Sequence, residues 1–181
     1  MRSLLRVAVL IALVPQGVPA QGVAEPQDYR EAPYRAPVPP ALSGATTVDT
    51  EAAHDLWEGG NVTFVDVLPR AERPAGLPEG TIWRDAPRES IPGAIWLPNV
   101  GYAALPHEDE LYLQNGLATA TGGDPTHPVL FFCLTDCWMS WNAAKRTLAL
   151  GYSEVFWYPD GTDGWGQAGH PLAPIEPLVL Q

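Results

Sequence analysis

Residues 128–158 constrain the fold of this chain more than any other stretch. Residues 128–132 (PVLFF) are β-branched and aromatic and run for the length of one strand. Residues 140–150 (SWNAAKRTLAL) read as a helix, closed by Gly151 in the position where helices give way to left-handed backbone. Residues 154–158 (EVFWY) read as a second strand. Two strands joined through a helix run parallel, so this is a β-α-β unit. The same alternation extends upstream. Residues 46–48 suit a short strand, and Asp49 or Thr50 can cap a helix over 51–57 that ends at Gly59-Gly60. Residues 61–67 (NVTFVDV) form a buried strand ending near Asp66, and residues 94–97 form a short one. Residues 108–120 form a helix whose first turn carries Glu108, Asp109 and Glu110 at its positive end. Residues 69–92, with five prolines, read as a long loop. The expected fold is α/β, a mostly parallel central sheet flanked by helices, with chemistry at the C-terminal ends of the strands.

Composition narrows the rest. With 10 Lys+Arg against 21 Asp+Glu the formal charge is −11, which repels a phosphate backbone and excludes a general nucleic-acid binder. Apolar residues at 46% exclude wholesale disorder. Arg2, Arg6, the apolar run at 7–14 and the small residues before Ala20 have the layout of a secretory signal peptide over 1–20, cut near Ala20. That run is too short to span a bilayer, so the mature protein is expected to be exported and not membrane-spanning; in a bacterium that means the periplasm. Residues 21–45 carry Pro26, Pro33, Pro37, Pro39 and Pro40 and read as an extended arm, its Tyr29 and Tyr34 stapling it to the domain. The domain is expected over 46–175, with a tail at 176–181.

The strand-end rule points at Cys133. It opens the segment Cys133-Leu134-Thr135-Asp136-Cys137-Trp138-Met139-Ser140, between a strand end and a helix start. Backbone N–H groups and the helix dipole favour a thiolate there, while Asp136 disfavours it. Cys137 is four residues on, close enough for a disulfide if the loop turns helically. A bridge over so small a loop adds little stability, which is the pattern of a redox-active pair; two inert, buried cysteines are the alternative. Two thiols alone make a poor zinc site, and His54, His107, His127 and His170 are scattered. No dinucleotide, P-loop or haem motif is present.

Phe132-Cys133, Ser140, Ala143-Ala144, Leu148, Gly151-Tyr152, Gly161, Gly164-Trp165 and Ala168-Gly169-His170-Pro171 resemble, in order, the second half of a rhodanese domain. Ile91-Pro92-Gly93-Ala94-Ile95 and Phe64-Val65-Asp66-Val67 are similar to segments of its first half. Cys133 with Asp136-Cys137-Trp138-Met139-Ser140-Trp141, followed by Trp157-Tyr158-Pro159-Asp160-Gly161, resembles more closely the subgroup named for a cysteine-pair–tryptophan (CXXCW) motif. That subgroup is associated with catabolism by pyrroloquinoline quinone (PQQ)-dependent alcohol dehydrogenases, although three residues, not two, separate the cysteines here.

The resemblance implies a rhodanese-like fold with Cys133 at its reactive position. It also implies an accessory role in PQQ-linked alcohol oxidation, with a PQQ-dependent dehydrogenase or its cytochrome as partner. PQQ enters only by that association, and no cofactor is obligatory. The loop lacks the Gly and Arg usual in a sulfurtransferase and is one residue longer, which argues against thiosulfate turnover. Three functions follow. The first is thiol–disulfide exchange, with Cys133 attacking and Cys137 resolving. The second is sulfur transfer through a Cys133 persulfide. The third is a non-catalytic binding module in which Trp138, Trp141, Trp157 and Trp165, in or near loops at one end of the sheet, stack a planar ligand, with packing of the domain as the alternative for each of them; Asp66 and Asp136 are further candidate loop or binding residues.

Overall fold

Both faces of the central sheet are buried, and the strand sequences say why. Along the chain run β1 (Thr46–Thr47), α1 (Thr50–Gly59), β2 (Thr63–Asp66), β3 (Arg88–Ser90), β4 (Ile95–Trp96), α2 (His107–Thr121), β5 (Val129–Phe132), α3 (Trp138–Ala149), β6 (Val155–Tyr158), α4 (Gly161–Gln167) and β7 (Ala173–Ile175). Five of these strands form a parallel sheet in the order β1-β6-β5-β2-β4. Successive side chains of a strand point to opposite faces. Val129 and Phe131 of β5, with Val155 and Trp157 of β6, join α2 and α3 in one core cluster. Leu130, Phe132 and Tyr158 join Ala53 of α1 and Trp165 of α4 in the other. Apolar residues at every position, as in PVLFF, are what a parallel sheet covered on both faces requires.

The computed structural model describes residues 22–71, 73–84 and 86–180; the leader expected over 1–20 and its cut near Ala20 lie outside them. No helix among the described residues is long and apolar enough to cross a membrane. Asp49 caps α1, its carboxylate accepting the Ala52 N–H at 2.9 Å.

Four features differ from the expectation. The helix expected from Ser140 begins at Trp138, with Cys137 as its N-cap, and the Ser140 hydroxyl donates back to the Cys137 carbonyl at 3.0 Å. The stretch 69–92 is not all loop. Its end forms β3, antiparallel to β7 in a two-stranded sheet. Arg-Glu-Ser has no strand signature; its position is set by Asp66, as described below. The core also begins earlier than residue 46, because Leu42 is 2% exposed and packs in the α3-side cluster. Finally, Leu178 of the expected tail is built in. The Leu178 N–H donates to the Trp96 carbonyl at 2.9 Å, and the Tyr112 hydroxyl donates to the Leu178 carbonyl at 2.8 Å.

Candidate functional site

Cys133 follows the last residue of β5, and Cys137 stands at the start of α3. The two are joined by a disulfide, with their Cα atoms 6.1 Å apart. Between them the chain turns tightly enough for the bridge because Asp136 adopts φ +54°, a left-handed conformation that Asp tolerates better than most side chains. Cys133 is fully buried and Cys137 is 3% exposed. The residue at the helix terminus is Cys137, not Cys133, so the dipole of α3 acts on Cys137.

Residues on or beside α4, joined by Arg88 of β3, hold the loop from one side. The Cys133 carbonyl accepts the Thr162 N–H at 3.0 Å, and Arg88 Nη2 lies at 3.5 Å from it. The Thr135 N–H donates to an Asp163 carboxylate oxygen at 3.1 Å, and its hydroxyl donates to the Asp160 carbonyl at 2.8 Å. Leu134 pairs with Gly161 in an antiparallel bridge. Here only glycine serves: at φ +53° a Cβ would sit 2.5 Å from the Cys133 carbonyl oxygen.

From the other side comes the N-terminal arm. Arg35 pairs antiparallel with Cys137. The Trp138 N–H donates to the Tyr34 carbonyl at 2.8 Å, and the Ala36 N–H donates to the Asp136 carbonyl at 3.0 Å. The arm is anchored upstream by Asn142, which is fully buried. Its Oδ1 accepts the Arg30 N–H and its Nδ2 donates to the Arg30 carbonyl, both at 2.9 Å. Tyr29 lies under the Arg146 guanidinium at 4.1 Å, and Tyr34 meets the Tyr102 ring edge-on at 5.4 Å. Both tyrosines do staple the arm.

Asp66 sits at the C-terminal end of β2, fully buried. Its Oδ2 receives Arg88 Nη2 at 2.7 Å and Nε at 2.8 Å, and the Ser90 hydroxyl at 2.6 Å; Oδ1 receives the Leu68 N–H at 2.9 Å. Burial pushes its carboxyl above the usual range, opposed by the Arg88 charge. Asp66 thus does not face a ligand. It ties β3 to the sheet and, through Arg88, to the Cys133 carbonyl and the Thr162 hydroxyl at 3.1 Å.

The tryptophans stand against the ligand-stacking expectation. Trp138 is 2% exposed, and Trp141 and Trp165 are fully buried. Trp138 packs edge-on to Trp141, and Trp165 is enclosed by His54, Trp57 and His170. None offers an open face, so packing accounts for them. Asp136 is exposed, but engages the arm through its backbone only. The expectation of scattered histidines also changes, because His54 stacks on His170 at 4.0 Å. His54, Asp55 and Glu58 could each offer a ligand atom to one ion, but Asp55 and Glu58 are exposed, an arrangement common without any metal.

A cleft of about 440 Å³ opens beside the cysteine loop, lined by Leu68, Arg88, Trp96, Leu134, Thr162 and Leu172 among others. Arg88, Ser90, Thr162, Asp163 and the arm at 34–36 were not legible as site residues. Each reaches the loop through tertiary contacts, with no local motif to announce it.

The profile of the family described as "Rhodanese-like domain" matches residues 49–168. A comparison with curated sequences found no match. Among solved structures, a variant of EanB in complex with ergothioneine is 21% identical with a TM-score of 0.53, covering 79% of this chain and 34% of its own. Thiosulfate sulfurtransferase from Pseudomonas aeruginosa is 18% identical with a TM-score of 0.49, over 76% of this chain. This chain spans only 22% of that protein's length. The polysulfide-sulfur transferase homodimer from Wolinella succinogenes is 20% identical with a TM-score of 0.46, covering 72% of this chain and 80% of its own.

Proposed function

Because the chain belongs to the rhodanese-like domain family, we propose that it acts through its cysteine loop, as a thiol–disulfide exchange protein using the Cys133–Cys137 pair. The observation that carries this reading is the bridge itself, placed at the C-terminal edge of the sheet with Cys137 at the start of a helix. The roles differ from those the sequence suggested. Cys137 has the helix terminus and the slight exposure, so it is the sulfur a partner meets, and fully buried Cys133 resolves. In the reductive direction, a thiolate of a partner dithiol attacks Cys137. The bridge breaks, Cys133 leaves as a thiolate and takes a proton, and a mixed disulfide forms on Cys137. The partner's second thiolate then attacks its own sulfur in that mixed disulfide and releases Cys137. Two electrons and two protons pass from the partner to the pair, and the reverse sequence oxidises the partner.

In its finer form the proposal makes the chain an exported, periplasmic accessory of PQQ-dependent alcohol catabolism, its partner a PQQ-dependent dehydrogenase or that enzyme's cytochrome. The likeness of residues 133–146 and 157–165 to the CXXCW subgroup supports this, as does the leader expected over 1–20. PQQ does not fit as a resident ligand of Trp138, Trp141 or Trp165, since their faces are covered. Cys133→Ser, exported from cells oxidising alcohol, should trap a mixed disulfide through Cys137, and Cys137→Ser should trap none. Absence of any adduct in Cys133→Ser under oxidising conditions would refute the exchange reading. An adduct lacking the dehydrogenase and its cytochrome would refute only the finer form.

Sulfur transfer through a Cys133 persulfide is the second reading. It is favoured by Arg88, a cation the loop itself lacks, beside the 440 Å³ cleft. Against it, Asp66 takes up that charge, and the Thr135 and Trp138 N–H groups of the loop already have acceptors. Incubation of the reduced protein, its Cys133 thiolate free, with thiosulfate should therefore release no sulfite and add no sulfur to Cys133.

A further inference from the structure

The bridge is out of reach of any partner as it stands. Cys133 is fully buried and Cys137 is 3% exposed, and Tyr34, Ala36 and Val38 of the arm pack against the cluster that contains both. We infer that residues 34–36 are a displaceable cover, occupying the edge at 136–138 on which an extended, thiol-bearing segment of a partner pairs before exchange. The contact is of the kind that can be swapped. It is an antiparallel pairing of Arg35 with Cys137, made by the Trp138 N–H on the Tyr34 carbonyl and the Ala36 N–H on the Asp136 carbonyl. Backbone bonds of this type are met equally well by another extended chain, which is how strand addition recognises peptides. The arm is anchored on either side of the cover. On one side Asn142 clamps Arg30, and on the other Leu42 is in the core. Between them the Arg35 side chain has an ion pair with Asp163 at 3.8 Å, both about half exposed, which holds little. The identity of the partner rests on the redox reading; the cover does not.

The test uses the full chain and dithiothreitol as the probe thiol, with timed alkylation and intact mass as the readout. Ala36→Pro deletes one of the two backbone donors, and the bridge should be reduced about five- to tenfold faster, since the reaction follows the population of the open form. Tyr34→Phe loses only the hydroxyl that accepts the Ala103 N–H at 3.2 Å, and should act in the same direction with a smaller effect. It keeps the test decisive if Ala36→Pro does not fold. In pre-reduced protein, iodoacetamide should label Cys137 faster in both variants. Reduction and labelling at the wild-type rate in folded variants would overturn the cover. Two free thiols in protein isolated without reductant would overturn the redox reading, while the labelling rates would still decide the cover.

Discussion

Arg88→Met isolates the role of the pair beneath the cysteine loop. Asp66 is fully buried and the Arg88 side chain is 10% exposed, with two donors on one carboxylate oxygen at 2.7 and 2.8 Å. Removing the guanidinium leaves a buried carboxylate with only Ser90 and Leu68 as donors. Breaking such a pair costs about 3–5 kcal/mol, and the methionine stem refills some of the lost packing, so about 3 kcal/mol is expected. For a domain of this size that lowers Tm by about 6–12 °C. The Asp66→Asn/Arg88→Met double variant removes the stranded charge and should recover at least half of the loss. Urea unfolding of the four proteins, all with the bridge oxidised, measures the cycle. A loss below about 1 kcal/mol in Arg88→Met would refute the reasoning, as would a double variant no more stable than that single one.

Gly161→Ala should destabilise the protein by about 2 kcal/mol or more and speed reduction of the bridge, since its Cβ meets the Cys133 carbonyl; unchanged melting would contradict this. Tyr158 donates to or accepts from Thr50 at 2.9 Å, and burial pushes its hydroxyl up to about 12. Above pH ~10 the unfolded chain loses that proton first, so stability should fall as pH rises from about 10 to about 12; Tyr158→Phe should flatten this decline in alkaline melts. Asn142→Leu strands the Arg30 and Gly101 backbone groups it now pairs and should cost about 2–4 kcal/mol, with the arm becoming cleavable by protease ahead of the domain. Titration with PQQ should produce no saturable quenching of tryptophan fluorescence, because Trp138, Trp141 and Trp165 have no open face; saturable quenching would reinstate a planar-ligand site.

The parallel sheet was legible because PVLFF and the VFWY that follows Glu154 are apolar or aromatic at every position, as a doubly covered strand requires. The cysteine loop was legible because it follows such a strand and the four-residue spacing permits a bridge. The start of α3 was not, since Cys137 and Trp138 look like loop until Ser140 folds its hydroxyl back onto the Cys137 carbonyl. Strand β3 was hidden for a different reason. Arg88 and Ser90 are polar and follow a proline-rich stretch, and their place is set by a carboxylate more than twenty residues earlier. Packing and ligand stacking both stayed open for the tryptophans, because their nearness to the loop in sequence says nothing about which way they face, and the structure decides for packing. Trp138, Trp141 and Trp165 are buried beneath the helices that they help to form. The arm's tyrosines were readable as staples, but the pairing of Arg35 with Cys137 is a long-range backbone contact that no side-chain pattern encodes.

The central claim is that Cys133 and Cys137 cycle between bridge and thiols. Intact mass of the protein, isolated without reductant, tests it most directly. The account predicts a mass lighter by two hydrogens, raised by two on reduction with dithiothreitol and lowered again on reoxidation, with the mass of the reduced form unchanged by thiosulfate. Two free thiols that resist oxidation, or a gain of one sulfur on Cys133, would contradict it.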